Sequence, residues 1–388
     1  MEVYILDSLW RRTAVIDVFE SLIWTERFNA FGDFQLKMHA TRNNRERLPI
    51  GTRITINDSY RVMTVETVED STDDQGVSSL IFKGRSLEAI FESRLAWDAF
   101  TDTTANPKWD ITDQPADIVR TLFHTICVTG ALDAGDIIVA NESDFLPTDT
   151  TPEPSDTITY SIEPMTLYQS IQDLSNVYTM GFRLILNPAN NQLYFNPYMG
   201  SDRTSNQTTL PAVVFSPDFD NLKASTLLSS NALYKNVAYV FSPVGAEIVY
   251  DDDVDPSISG FDRQVLMVNA SDIDDGVPAT ATAKMIQRGK QELAKARKIV
   301  AFDGEISQTS AYRYGTDYNL GDLVEIWNDT GSASVMQVTE QIFVSDAEGE
   351  RSYPTLVINN FITPGSYDDW TPDETFDTVD PDLTFDDL

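Results

Sequence analysis

Short runs in which β-branched and aromatic residues alternate with polar ones recur from residue 2 to about residue 83. EVYILD, TAVIDVF, SLIWTERF and DFQLKMH read as strands, and AFGD between the last two supplies the glycine that a tight reversal needs. IGTRITI, YRVMTVETVED and SSLIFKG continue the meander through the acidic turn STDDQG. The pattern then changes period. In RSLEAIFESRL the apolar residues Leu87, Ile90, Phe91 and Leu95 fall on one helical face.

Residues 96–225 mix loops with two amphipathic helices. QPADIVRTLFHTICV places Pro115 in its first turn and Ile118, Leu122 and Ile126 along one stripe. TLYQSIQDLSNVY aligns Leu167, Ile171, Leu174 and Tyr178 in the same way, and FRLILN and QLYFNPY read as a hairpin closed by PANN. From about residue 226 strands resume in NVAYVFSP, AEIVYDD and RQVLMVNA. A helix at 279–298 follows, then strands in GEISQTSAYRY, LGDLVEI, SVMQVTEQIFVSD and TLVINNFI.

One string returns. IGTRITI at 50–56 reappears as LGDLVEI at 320–326, and the likeness continues downstream. Val62-Met63 matches Val335-Met336, Val65 matches Val338, Asp73 matches Asp346 and Gly76 matches Gly349. Leu80-Ile81-Phe82 then meets Leu356-Val357-Ile358 after a short insertion. Generic strand grammar produces single matches of this kind, but several in one order point to an internal duplication.

The expected fold is therefore mainly β with α+β insertions. It comprises an antiparallel barrel at 1–95, an α+β middle domain at 96–225, a second similar barrel at 226–365 carrying the helix 279–298, and an acidic tail at 366–388. Two similar domains per chain have a geometric use, because three chains present six similar units about one axis.

Charge narrows the partners. Against 27 Lys plus Arg stand 61 Asp plus Glu, a formal net charge of −34. Affinity for a phosphate backbone comes from Lys and Arg, so stable binding of nucleic acid or of an anionic membrane is not expected. Cys127 is the single cysteine, which excludes an intrachain disulfide and a thiolate metal site built from one chain. MEVYILDSLWRRTAV lacks the apolar core of a secretory signal, and no apolar window is long enough to span a bilayer.

Candidate chemistry is sparse. His124 and Cys127 stand three apart on a helix, but a catalytic pair needs a third, orienting group and a cleft, so packing is the simpler reading. The acidic runs DDDVDPS at 251–257 and SDIDDG at 271–276 suggest calcium, yet Asp272, Asp274, Asp275 and Gly276 lack the later bidentate glutamate of an EF-hand. No catalytic, cofactor-binding or metal-ligating residues are assigned, and no enzymatic activity is expected. A carboxylate-pair glycosidase stays open in so acidic a chain.

The basic helix at 279–298 carries six Lys or Arg against Glu292 alone. It reads either as a solvated face or as Lys284, Arg288, Lys295 and Arg297 facing acids of a neighbouring subunit. In the tail, which holds nine acids and no base, Trp370, Phe376, Leu383 and Phe385 are spaced like anchors for a docking partner.

SLIWTERFNAFGDFQLKM, LPIG and GRSLEAIFESR together resemble the opening of the siphophage minor tail protein family, the baseplate or tail-tip hub proteins of actinobacteriophages. ALYKNVAYV and DYNLGDLVEI resemble that family's C-terminal barrel, so the likeness runs from residue 1 to about 365. The resemblance implies a homotrimeric hub at the distal end of the tail tube, enclosing the channel through which DNA leaves. It implies as partners the distal tail and tail-tube proteins, the tape-measure protein and receptor-binding or tail fibre proteins, with DNA only in transit and no membrane insertion. Its location would be the distal tail of the virion, assembled in the host cytoplasm. Unlike the family, this sequence has no long lysin or fibre domain after residue 365, which points to neighbouring proteins for any enzymatic or receptor-binding role. The alternative function is that of a carbohydrate-binding or cell-wall-degrading tail protein that contacts the host directly.

Overall fold

A computed structural model describes residues 1–72, 76–98, 108–130, 137, 139, 153–251, 254–273, 278–306, 312–327 and 333–357. In chain order the strands are β1 (Val3–Leu6), β2 (Arg12–Ile16), β3 (Ser21–Arg27), β4 (Asp33–His39), β5 (Arg53–Ile56), β6 (Met63–Thr72) and β7 (Ser78–Ser86). The middle of the chain supplies β8 (Trp109–Asp113), β9 (Ile158–Ile162), β10 (Gly181–Asn187), β11 (Gln192–Tyr198) and β12 (Val214–Phe215). The remainder are β13 (Leu222–Ser230), β14 (Val237–Ser242), β15 (Gly245–Tyr250), β16 (Val265–Asn269), β17 (Ile299–Ile306), β18 (Leu323–Trp327), β19 (Ala333–Asp346) and β20 (Gly349–Val357). The α-helices are α1 (Arg42–Arg47), α2 (Pro115–Phe123), α3 (Leu167–Tyr178) and α4 (Pro278–Lys295).

The two expected barrels are not found, and among the described residues no closed barrel forms. Strands from both ends of the chain enter one 13-stranded sheet in the order β13-β17-β20-β19-β3-β4-β7-β6-β5-β1-β2, with β18 on β19 and β12 on β18. The reason lies in the length of β19. Its first half pairs β18, while its second half, Glu340–Ser345, offers its backbone to Leu22–Arg27 of β3. Unpaired sheet edges must be satisfied somewhere, and here the N-terminal region meets that need instead of closure on itself.

Within that sheet the echo is real at the level of hydrogen bonds. Gly51 and Gly321 occupy the left-handed region at φ +89° and +90°, each as the third residue of a turn closed by Thr52 N donating to Pro49 O (3.0 Å) and Asp322 N donating to Asn319 O (3.2 Å). Gly51 N then donates to Val65 O at 2.8 Å, and Gly321 N to Val338 O at 2.7 Å. Both long strands shift register at the same place, between Val65 and Thr67 and between Val338 and Glu340. Letter matching fails only at the last strand. Val65 faces Gly84 and Val338 faces Leu356, so Leu356 corresponds to Gly84 and not to Leu80. The second turn is one residue shorter, and no insertion is present: Thr72 faces Ser78, whereas Ser345 faces Glu350.

The correspondence spreads over five strands. One rung runs Trp24, Phe34, Gly84, Val65 across β3, β4, β7 and β6 and reaches Thr52 just before β5. Its counterpart runs Leu227, Phe302, Leu356, Val338 across β13, β17, β20 and β19 and reaches Asp322 before β18. What differs is the connection between the first two strands. In the first unit β3 passes to β4 through residues 28–32; in the second, β13 passes to β17 through 231–298, which carry β14, β15, β16 and α4.

Among the described residues, buried side chains fall into four clusters. The first unit encloses Leu22, Trp24, Phe34, Leu36, Ile54 and Met63, with Phe343 contributed by β19. The second encloses Phe215, Val324, Ile326, Met336 and Leu356, with Phe28 contributed from just after β3. The middle region buries Leu122, Phe123, Leu174, Phe182 and Phe195, and Ala238, Val240, Val249 and Met285 pack α4 on the small sheet β15-β14-β16.

The α2 and α3 stripes sit as expected, since Ile118, Leu122, Leu167, Ile171 and Leu174 are all buried. The segment 87–93 is a 3₁₀ helix, and α1, capped by the Thr41 hydroxyl accepting from Asn44 N, has no counterpart in the apolar pattern. None of the helices of the described residues is long and apolar enough to cross a membrane.

Candidate functional site

One group of buried polar side chains lies where the two five-strand units and the middle region meet. Phe28, the residue after β3, stands at the centre. Its N–H donates to Thr339 O at 2.9 Å and its carbonyl accepts from Phe182 N at 3.1 Å, so one residue is bonded to β19 and to β10. Its ring lies edge-on to Tyr198, with centroids 5.2 Å apart. A Cβ on Gly321 would come within 2.3 Å of that ring, and one on Gly181 within 2.4 Å. Two glycines are thus required by close approach, one from the second unit and one from the middle region.

Beside Phe28 lies a buried charge network. The Arg61 guanidinium, 4% exposed, pairs with Glu88, which is fully buried. Arg61 also donates to Arg27 O at 3.1 Å, while Glu88 accepts from Leu184 N at 2.7 Å. Glu26 accepts from Trp24 Nε1 and Tyr314 Oη, each at 3.2 Å, and from the Ser59 hydroxyl. Burial pushes the Glu26 carboxyl above its ordinary range, against the lowering effect of Arg61 and of the three donors. For Arg61 burial works against the charge, but Glu88 and its other neighbours outweigh it and hold the guanidinium protonated. These groups come from β3, the β5–β6 connection, the 3₁₀ segment, β10 and the strand-free stretch before β18, so the network fixes elements that are far apart in sequence.

The basic helix is tied down within its own chain. Lys284, 3% exposed, reaches Asp110 of β8 at 2.5 Å. Arg288 pairs with Asp272 at 3.0 Å, and Lys295 with Asp173 of α3 at 3.2 Å. Neither sequence reading fits Lys284, which is buried, or Arg288, whose side chain is 15% exposed, because both face acids of the same molecule. Arg297 lies half-buried beyond the end of α4. Sequence gave no sign of this, because Asp110 and Asp173 are recruited from 174 and 122 residues away.

Among the described residues the candidate chemical groups do not assemble into a reaction centre. His124 is exposed and its ring nitrogen Nδ1 sits 3.3 Å from Thr129 Oγ1, while Cys127, at 1% exposure, is part of the middle-region core. His39 is exposed at the end of β4. Asp272 is buried against Arg288, and Glu163 is raised by burial and then by the neighbouring Asp272 charge. Asp274, Asp275 and Gly276 lie outside the described residues, as do Asp252 and Asp253 of the other acidic run and the whole tail from 366. Among the described residues no group of three or more His, Cys, Asp or Glu could hold a metal ion.

A groove of about 730 Å³ opens between the first unit and the middle region, lined by Trp10, Arg53, Glu66, Arg85, Ile90 and Arg94 among others. Arg53 stacks on Trp10 at 4.3 Å, and Arg85 grips Glu66 through both guanidinium branches at 2.8 and 3.0 Å. Its one carboxylate is therefore committed. Elsewhere Phe219 and Trp327 form an exposed aromatic pair with centroids 6.0 Å apart.

Solved structures share this arrangement of strands. The tail protein from Neisseria meningitidis MC58 matches at a TM-score of 0.55 and 13% identity, over 92% of this chain and 96% of that one. The 43 kDa tail protein of prophage MuSo2 from Shewanella oneidensis matches at 0.54 and 15%, over 92% and 98%. Prophage tail protein gp18 from Listeria monocytogenes matches at 0.51 and 12%, over 93% and 96%. At these identities the likeness is one of fold. No curated protein matches the chain. The family profile described as Siphovirus ReqiPepy6 Gp37-like protein matches residues 2–356, nearly the whole chain, and the protein belongs to that family.

Proposed function

We propose that this protein is a phage tail protein that forms a homotrimeric hub at the distal end of the tail tube. The observation that carries the reading is the repeated five-strand unit, whose rungs, glycine turns and bulges coincide residue by residue. Three chains, each contributing two such units, make a collar of six similar parts on which a threefold assembly can meet a sixfold tube. Membership in a siphovirus family and a fold shared with three tail proteins, two of them from prophages, support the same reading. In it, residues 1–95 and the strands of 222–357 supply the collar, the residues between them form the inserted domain, and 366–388 dock a partner; the boundary expected at 226 moves to 222, where β13 begins.

The role is structural. The hub joins the distal tail and tail-tube proteins above, with the tape-measure protein nearby, to receptor-binding or fibre proteins below, and encloses the channel for DNA. The net charge of −34 suits a conduit, because a wall poor in Lys and Arg gives passing phosphates nothing to hold. Only residues within about 8 Å of the lumen act in this way at physiological salt. Light scattering on the purified chain tests the assembly: a mass of three copies is expected, and a mass of one copy at micromolar concentration contradicts it.

A second reading, direct contact with host carbohydrate, draws on the exposed Phe219–Trp327 pair. Under that reading Trp327→Ala weakens adsorption to isolated cell walls while the assembly stays intact; the hub reading expects adsorption unchanged.

A further inference from the structure

The five-strand units leave one pairing unmade. Within the chain, Leu22–Arg27 of β3 lies antiparallel to Glu340–Ser345 of β19, with Trp24 opposite Phe343. By the rungs described above, β3 corresponds to β13 and β19 corresponds to β6. The counterpart of the β3–β19 contact would thus join β13 to β6. No such pairing occurs among the described residues of the single chain. Strand β13 is the edge of the large sheet, and residues 67–72 of β6 pair with β7 alone among the described strands.

We infer that β13 of one copy pairs with the open flank of β6 of the next, antiparallel, with Ser225–Ser230 against Thr67–Thr72. The register follows by translation. Trp24 corresponds to Leu227 and Phe343 to Asp70, so Leu227 faces Asp70, Thr226 faces Ser71 and Ser230 faces Thr67. The partner is a second copy of this chain, which deepens the hub reading and rests on it.

A second observation supports the choice of edge. Residues 224–230, ASTLLSS, hold neither a charge nor a proline. Sheet edges that stay exposed are usually blunted by Lys, Pro or a bulge; β13 carries Lys223 and a register shift only at its start, between Leu222 and Ser225, and the uncharged run beyond them calls for a partner strand. Opposite it, Glu69 and Asp70 of β6 already hold Lys83 and Arg45, so their charges are met within their own chain. The contact is heterologous, β13 to β6, and such a contact closes into a ring when its rotation is a whole fraction of a turn, a third for three copies. From β13 through β17, β20, β19, β3, β4 and β7 to β6, each chain would give eight consecutive strands to one continuous belt.

Cross-linking by paired cysteines tests the register. Because Phe28 N donates to Thr339 O, odd steps from that pair are the closely spaced positions without mutual hydrogen bonds, and Ile23–Val344 is one of them. Its intermolecular counterpart is Thr226 with Ser71, where a disulfide fits. The full chain carrying Ser71→Cys and Thr226→Cys, with buried Cys127 left in place, should give covalent dimers and trimers under mild oxidation. Ser71→Cys with Leu228→Cys, two residues out of register, should give about tenfold less. The control, Ile23→Cys with Val344→Cys, should cross-link without change of mass. A trimer by light scattering with no in-register cross-link, or with equal yield from the shifted pair, overturns this pairing and leaves the hub reading standing. A monomer by light scattering overturns both.

Discussion

The two five-strand units share a backbone plan and differ in what is attached to it. In the first, five residues join β3 to β4; in the second, the chain leaves between β13 and β17 for a small sheet backed by α4 and returns in the same register. Gly51 faces open space, whereas Gly321, in the same turn with the same φ, packs against Phe28. Each unit also completes the other's core, Phe343 entering the first and Phe28 the second. The comparison teaches that strand pairing sets the repeated frame. Individuality comes from the side chain lent across the seam and from the segment inserted at a turn.

The largest effects should follow from removing what crosses the seam. Phe28→Ala empties a site bounded by both units and the middle region and should lower stability by about 3–5 kcal/mol in urea unfolding. Phe343→Ala, 5% exposed and touching the first core only, should cost less. An equal loss would mean that Phe28 is not the shared keystone. Arg61→Ala leaves Glu88 and Glu26 buried without their cation, again at about 3–5 kcal/mol.

Next come the equivalent glycines. Gly51→Ala meets only the left-handed backbone penalty, about 1–2 kcal/mol. Gly321→Ala adds a clash of its new Cβ with the Phe28 ring and should cost about 2 kcal/mol more. Similar losses at both positions would break the proposed difference between the turns. Lys295→Gln removes a half-exposed pair with Asp173 and should shift stability by under about 1 kcal/mol, with no change in assembly state by light scattering.

The smallest expected effect is one of slope. The Glu26 pKa is raised in the folded chain, so the folded form keeps a proton that the unfolded form has released. That contribution is fully present below the ordinary carboxylate pKa and is lost as pH rises through the raised one. Glu26→Gln should therefore flatten the stability profile across the mildly acidic range, measured as urea midpoints against pH. An unchanged slope would show that Glu26 does not titrate in that window.

Much of the frame was legible in the sequence because it is local. Alternation marked the strands, the Gly turns at 51 and 321 marked where the meanders begin, and α2, α3 and the β10–β11 hairpin carried their own periodic and turn signals. The matched letters located the repeat, yet failed at β20, since alternating strands look alike when slid by a few residues. Nothing local could announce that β19 would pair β3, which merged two expected barrels into one sheet. The Glu26–Arg61–Glu88 network was equally silent: its members look like ordinary surface charges until five distant segments enclose them. Lys284 is the same case on a helix, where a basic stripe suggested solvent or a neighbour and the structure supplied Asp110.

The central claim is that two equivalent units in each chain serve a closed collar. End-on electron-microscope averages of the purified assembly test it most directly. The account predicts a ring of three chains with a central opening and six similar densities around it. Single compact particles, or a closed assembly without an opening, would contradict it.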